Sequence, residues 1–164
     1  MSAAAPPGPS PTDPRSGTVP PKPLPAITAL ERPFWEAARR HVLALQRCSA
    51  CGTWRFPASP VCADCGATAF EWAPCSGRAT LVSWVTFHRL YFPSFANDLP
   101  YDVALVRLDE GPTMPANLVD AQGAALARGL PLEVVFEDRT PELGIPQFRP
   151  ARGPSDPGRD RGPA

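Results

Sequence analysis

The sequence has no apolar run near the roughly 18 residues that a membrane helix needs, and its N-terminus lacks a basic stretch leading into an apolar one. These absences predict a soluble, cytoplasmic protein with no membrane partner and no secretory signal. There is also no basic surplus. Residues 26–149 carry 11 Lys and Arg against 13 Asp and Glu, whereas proteins held to nucleic acid by phosphate contacts are usually rich in cations. Only two histidines exist, His41 and His88, so any Cys-His or Ser-His-Asp chemistry would have to use one of them. No paired-carboxylate motif, glycine-rich phosphate loop or hydrolase elbow is present. Asp98, Asp102, Asp109 and Glu110 fall in turn-like surroundings and read as solvated turn residues.

Proline is abundant but unevenly placed. Nine of the 24 prolines fall in residues 1–25 and four in 150–164. Both ends are poor in large apolar side chains and cannot offset chain entropy by burial. The expected organisation is a disordered tail at 1–26, a helix and lead-in strand at 27–47, a cysteine-rich segment at 48–72, a β-domain at 73–150 and a second tail at 151–164. Glu31–Arg40 reads as a short helix with Pro33 in its first turn, where the missing N–H is not needed. Its Phe34, Trp35 and Ala38 share one face. Residues 42–45 fit a continued helix or a strand equally well.

From residue 78 the period changes to two, and β-branched and aromatic residues dominate. Strands are expected at 78–90, 102–108, 113–119, 133–137 and 144–149. A loop at 91–100 and a connection at 120–130 with room for a helical turn separate them. Five short strands with turns between them predict a small barrel. Periodicity alone fits an OB-fold or an SH3-like barrel. The overall fold class is mainly β, with one short N-terminal helix.

The chemistry is concentrated in five cysteines. Cys48-Ser49-Ala50-Cys51-Gly52 and Cys62-Ala63-Asp64-Cys65-Gly66 repeat one C-x-x-C-G pattern, with ten residues between Cys51 and Cys62. Two thiolates three residues apart can grip one ion from a tight turn, and the glycine lets the backbone continue with positive φ. Two such turns supply a tetrahedron of sulfurs, which suits a structural zinc ion and leaves no open position for catalysis. A rubredoxin-type iron centre would use the same donors. Cys75 stands apart and reads as a partly buried free thiol, since no base lies near it in sequence.

Several motifs together resemble one family. They are Pro33-Phe34-Trp35-Glu36, the two cysteine turns, Arg55-Phe56-Pro57, Ser76-Gly77-Arg78, Phe87-His88-Arg89, Tyr101-Asp102-Val103-Ala104 and Phe148-Arg149-Pro150-Ala151. In this order, over residues 30–151, they resemble the acyl-CoA-associated proteins built from a rubredoxin-like zinc ribbon and an OB-fold. The resemblance implies a strand entering the first cysteine turn, then a ribbon, then a five-stranded OB barrel. It also implies a non-catalytic accessory subunit that binds a thiolase-like or hydratase-like acyl-CoA enzyme in lipid, sterol or other acyl-CoA metabolism. Ala79 stands where the family often has glycine.

Such a subunit would touch its partner, CoA or an acyl chain through aromatic residues such as Trp84, Phe87, Tyr91, Phe92 and Phe95. Arg78, His88, Arg89 and Phe92 are the candidates for CoA thioester or partner contact. Cys48, Cys51, Cys62 and Cys65 are the expected ligands of a structural Zn2+. The alternative is an OB-fold that binds single-stranded nucleic acid through stacked aromatics, and the slight acidity of residues 26–149 disfavours it.

Overall fold

The computed structural model describes residues 20–152. Most of the first expected tail and nearly all of the second lie outside that range. Residues 20–26 form no regular element, yet Lys22 pairs with Asp98 at 2.6 Å and lies 5.4 Å from the centre of the Phe95 ring.

The first element is a short helix, α1 (Arg32–Ala38), with Pro33 in its opening turn and Phe34, Ala37 and Ala38 buried. It ends before the expected Arg40. His41 takes a left-handed conformation (φ 59°), and its amide donates to Ala38 O. His41 therefore lies in a turn between the helix and the strand that starts at Ala44.

A three-stranded antiparallel sheet follows, in the order β2-β1-β3, from β1 (Ala44–Cys48), β2 (Trp54–Arg55) and β3 (Phe70–Pro74). The β1/β2 register puts Gln46 opposite Arg55, and the β1/β3 register puts Gln46 opposite Trp72. The cysteine segment hangs from this sheet.

The remaining strands are β4 (Arg78–Phe87), β5 (Tyr101–Leu108), β6 (Thr113–Leu118), β7 (Pro131–Thr140) and β8 (Leu143–Pro150). They close a barrel in the order β4-β5-β6-β8-β7, antiparallel except for a parallel β6/β8 contact. This is the five-stranded OB arrangement. All five expected barrel strands are present. The 120–130 connection holds only isolated turns.

Alternation along the strands sends Leu81, Ala104, Val106, Leu108, Met114, Leu118, Leu132 and Phe148 into one core. Phe34, Leu43 and Leu45 belong to the same buried cluster, so helix, ribbon and barrel share a single apolar interior. Close approach of α1 to β8 depends on Gly144. A Cβ there would lie 2.5 Å from Ala38 O. No helix among the described residues is long and apolar enough to cross a membrane.

Candidate metal centre and exposed aromatic end

The two cysteine turns are near copies of each other. Cys48 N–H donates to Thr53 O at 2.8 Å and Gly52 N–H to Cys48 O at 2.9 Å; Cys62 N–H donates to Ala67 O at 2.8 Å and Gly66 N–H to Cys62 O at 2.9 Å. Gly52 and Gly66 have φ of 77° and 74°, and nothing lies within 4 Å of a Cβ built on either. The left-handed backbone, rather than crowding, calls for glycine there.

These turns bring the four sulfurs within 4.8 Å of one another. Cys48 Sγ lies 3.6 Å from Cys65 Sγ, and Cys51 Sγ lies 3.7 Å from Cys62 Sγ. A tetrahedron with metal–sulfur bonds of about 2.3 Å has edges of about 3.8 Å. The donor set and spacing therefore fit one tetrahedral metal ion. Cys48 and Cys62 are buried, while Cys51 and Cys65 face outward.

The surroundings prepare part of the cluster for deprotonation. The Cys51 and Ala50 amides lower the Cys48 thiol. The side chain and amide of Thr53 bring Cys51 down to about 6. Cys65 goes the other way, to about 12. Its hydrogen bond from Ala67 acts downward but is outweighed by Cys51, by burial and by the other two sulfurs. Crowded thiolates repel, and only a cation relieves that. Cys75 lies outside the cluster, just past β3, with its amide donating to Leu43 O. Burial, then the negative charge of Glu110, push its thiol up to about 12.

The four CoA or partner candidates do not form one site. Arg78 begins β4, is exposed, and pairs with Asp109 at 2.8 Å. His88, Arg89 and Phe92 follow the other end of that ten-residue strand, about 30 Å further along it. There they join a concentrated apolar surface: Trp84, Val85, Leu90, Tyr91 and Phe92 are all exposed, Tyr91 and Phe92 each at 62%. Phe87 stacks on Tyr101 at 5.0 Å, Phe95 leans on Tyr101 at 5.9 Å, and Arg89 sits 5.5 Å from the Tyr91 ring centre. The 91–100 loop, with a 3-10 turn at Pro93–Phe95, thus lies outside the barrel. The strand beneath is half open. β4 pairs with β5 along Ala79–Phe87 but with β7 only over Arg78–Thr80, and residues 83–86 are exposed on both faces.

Sequence reasoning missed one residue of consequence, Arg55. It lies in β2 with 7% of its surface exposed, and among the described residues its three guanidinium nitrogens have no hydrogen-bond partner. No local signal marked it: β2 is only Trp54–Arg55, too short to show alternation.

Comparison with known proteins adds to this picture. The description "ChsH2, rubredoxin-like zinc ribbon domain" matches residues 35–71, and "ChsH2, C-terminal OB-fold domain" matches residues 72–137. A probable enoyl-CoA hydratase alpha subunit of Thermomonospora curvata is 37% identical over 131 residues, covering 79% of this chain. The match spans only 40% of that relative's length. A DUF35 domain-containing scaffold protein of Methanocaldococcus jannaschii is 31% identical over 98 residues, 59% of this chain and 69% of the relative. Among solved structures, a chain of the Ltp2-ChsH2(DUF35) aldolase superposes with a TM-score of 0.70 at 35% identity, covering 77% of this chain and 98% of that one.

Proposed function

Because the chain belongs to the ChsH2 (DUF35) family of zinc-ribbon and OB-fold proteins, we propose that it is a non-catalytic accessory subunit docked on an acyl-CoA-processing enzyme. The partner is of the hydratase, aldolase or thiolase-like kind, and the complex works in lipid, sterol or related acyl-CoA metabolism in the cytoplasm. The observation that carries this reading is the exposed aromatic end of β4 and the Tyr91–Phe92 loop. Contiguous apolar surface of this kind marks an interaction site, and an open strand edge beside it offers backbone pairing to a partner. Relatives named as a hydratase subunit, a scaffold protein and an aldolase complex support it.

In this proposal Cys48, Cys51, Cys62 and Cys65 hold one Zn2+. Four thiolates complete its coordination, so it supplies folding energy and no reactive position. Hydrogen bonds at Cys51 and Cys48 favour their thiolates, and metal binding would displace the Cys65 proton to solvent. His88, Arg89 and Phe92 contact the partner or its CoA ester at the aromatic end. Arg78, tied to Asp109 at the opposite end, does not share that contact.

The test is co-expression of the tagged chain with candidate hydratases, aldolases and thiolases. One of them should co-elute in fixed ratio and gain activity or solubility, and the purified chain should carry one zinc. If no such enzyme associates while salt-sensitive binding to single-stranded DNA appears, the nucleic-acid reading replaces this one.

A further inference from the structure

Arg55 is the only buried charged side chain among the described residues, and it has no counter-charge. Its Nε, Nη1 and Nη2 are shut off from solvent and lack an acceptor. A guanidinium stays charged at any ordinary pH, and an unpaired buried ion is costly. Its cross-strand neighbour Gln46 does not relieve it. Gln46 Oε1 accepts from the Ser59 amide at 2.9 Å and makes no bond to the arginine.

Strand register fixes what lies beside this cation. Residues paired across strands share a face, and so do residues two apart on one strand. Arg55 pairs with Gln46, and Cys48, two residues further along β1, pairs with Phe70. The Arg55 guanidinium lies 4.9 Å from the centre of the Phe70 ring. The side chain therefore crosses over β1 and ends in the row that Cys48 occupies. Cys48 and Cys62 are each 2% exposed, so the cation and the two inner thiols share the interior of the ribbon.

That interior carries a surplus of negative charge once a metal is bound. Four thiolates around a divalent ion leave two negative charges. The Asp64 carboxylate, which accepts from Thr53 Oγ1 at 2.7 Å, adds a third beside them. The other arginine of the sheet, Arg47, lies on the opposite, exposed face, 3.9 Å from Glu71, and its charge is met there.

We propose that Arg55 is the counter-charge of the metal centre, its guanidinium offsetting the negative charge that the four thiolates keep after a divalent ion binds. The costs of burying the arginine and of burying the thiolates then offset each other. This inference rests on the four-cysteine metal reading and on neither the docking surface nor the partner.

Chelator competition on the zinc-loaded full chain is the first test. Arg55→Met removes the charge and keeps most of the volume. It should weaken zinc binding about 10- to 100-fold, and Arg55→Lys, which keeps the charge, should recover most of that loss. A second readout separates charge from packing. With iron in place of zinc, the ferrous centre carries one more negative charge than the ferric one, so losing a nearby cation favours the ferric form. Arg55→Met should lower the reduction potential by about 59 mV, a tenfold change in the ferrous-to-ferric ratio for one electron. Arg55→Lys should leave it near the parental value. A side chain that only fills space would weaken both oxidation states alike. Should Arg55→Met fail to fold, the lysine variant decides, since it must then hold zinc and keep the parental potential. Unchanged zinc affinity in Arg55→Met, an unmoved or raised potential, or a lysine variant as weak as the methionine one each overturns the proposal. Absence of metal from the unaltered chain would instead remove the metal reading itself, and this inference with it.

Discussion

Cys75 and the four clustered cysteines have opposite fates in the fold. Within the cluster, hydrogen bonds favour the thiolates of Cys48 and Cys51, and a bound metal would extend that to Cys65. Cys75 sits where burial and Glu110 favour the thiol, at about 12 against 9.0 for an ordinary cysteine. At pH 8 its thiolate fraction should be about a thousandfold below that of a free thiol. Iodoacetamide should therefore spare Cys75 in the folded, zinc-loaded protein, and mass spectrometry should find it alkylated only after denaturation. The folded state keeps a proton that the unfolded chain releases near pH 9. Its stabilising effect is thus complete below that pH and is lost as the pH rises toward 12.

Replacing a ligand has a different signature. Cys48→Ser should lose the metal by elemental analysis and unfold the ribbon, because metal binding supplies on the order of 10 kcal/mol to such folds. The emission of Trp54 and Trp72, which lie in the ribbon sheet, would report it. The cysteine turns were legible because everything they need lies within five residues. Arg55 was not, since an arginine between two aromatics in a short strand reads by default as solvated. Its burial comes from packing inside the ribbon, where its guanidinium lies 4.9 Å from the Phe70 ring centre, and no local pattern encodes that.

At the scale of elements, two glycines separate backbone strain from crowding. Gly66 needs its left-handed φ but has open space around it. Gly66→Ala should cost about 1–2 kcal/mol, and Gly66→Asn less, since asparagine tolerates that conformation. Gly144 has an unremarkable φ but faces Ala38 O at 2.5 Å and Ala38 C at 2.9 Å from a built Cβ. Backbone atoms cannot step aside as side chains can, so Gly144→Ala should reach the upper end of overpacking costs, about 3 kcal/mol. It should also loosen α1 from β8. Urea denaturation of the two alanine variants gives the comparison directly.

The same contrast explains which elements could be read in advance. The barrel strands declared themselves through alternation over five or more residues. β2 spans only two residues, too few for any period to emerge, and β1 gives both it and β3 their partner. β7 runs through Asp138 to Thr140, beyond its apolar stretch, because β8 pairs with it as far as Leu143.

For the whole molecule, metal and aromatic end lie on separate parts of one rigid interior. The ribbon joins the barrel through the buried cluster of Phe34, Leu43, Leu45 and Phe148, so a metal held by the four cysteines would fix the ribbon without touching the proposed docking surface. The two roles should therefore be separable by mutation. The double variant Tyr91→Ser, Phe92→Ser removes side chains that are each 62% exposed. Exposed positions of this kind change stability by no more than about 0.5 kcal/mol. The variant should keep its zinc and its urea midpoint, and it should resist self-association better than the parent, whose apolar surface is bare without a partner. Yet it should capture its enzyme at least about tenfold less well, since aromatic anchors at the centre of an interface each contribute about 2 kcal/mol or more. Undiminished capture by a folded, zinc-loaded double variant would move the docking surface elsewhere on the molecule. The ribbon face around Cys51 and Cys65, both exposed residues, would then be the next surface to alter.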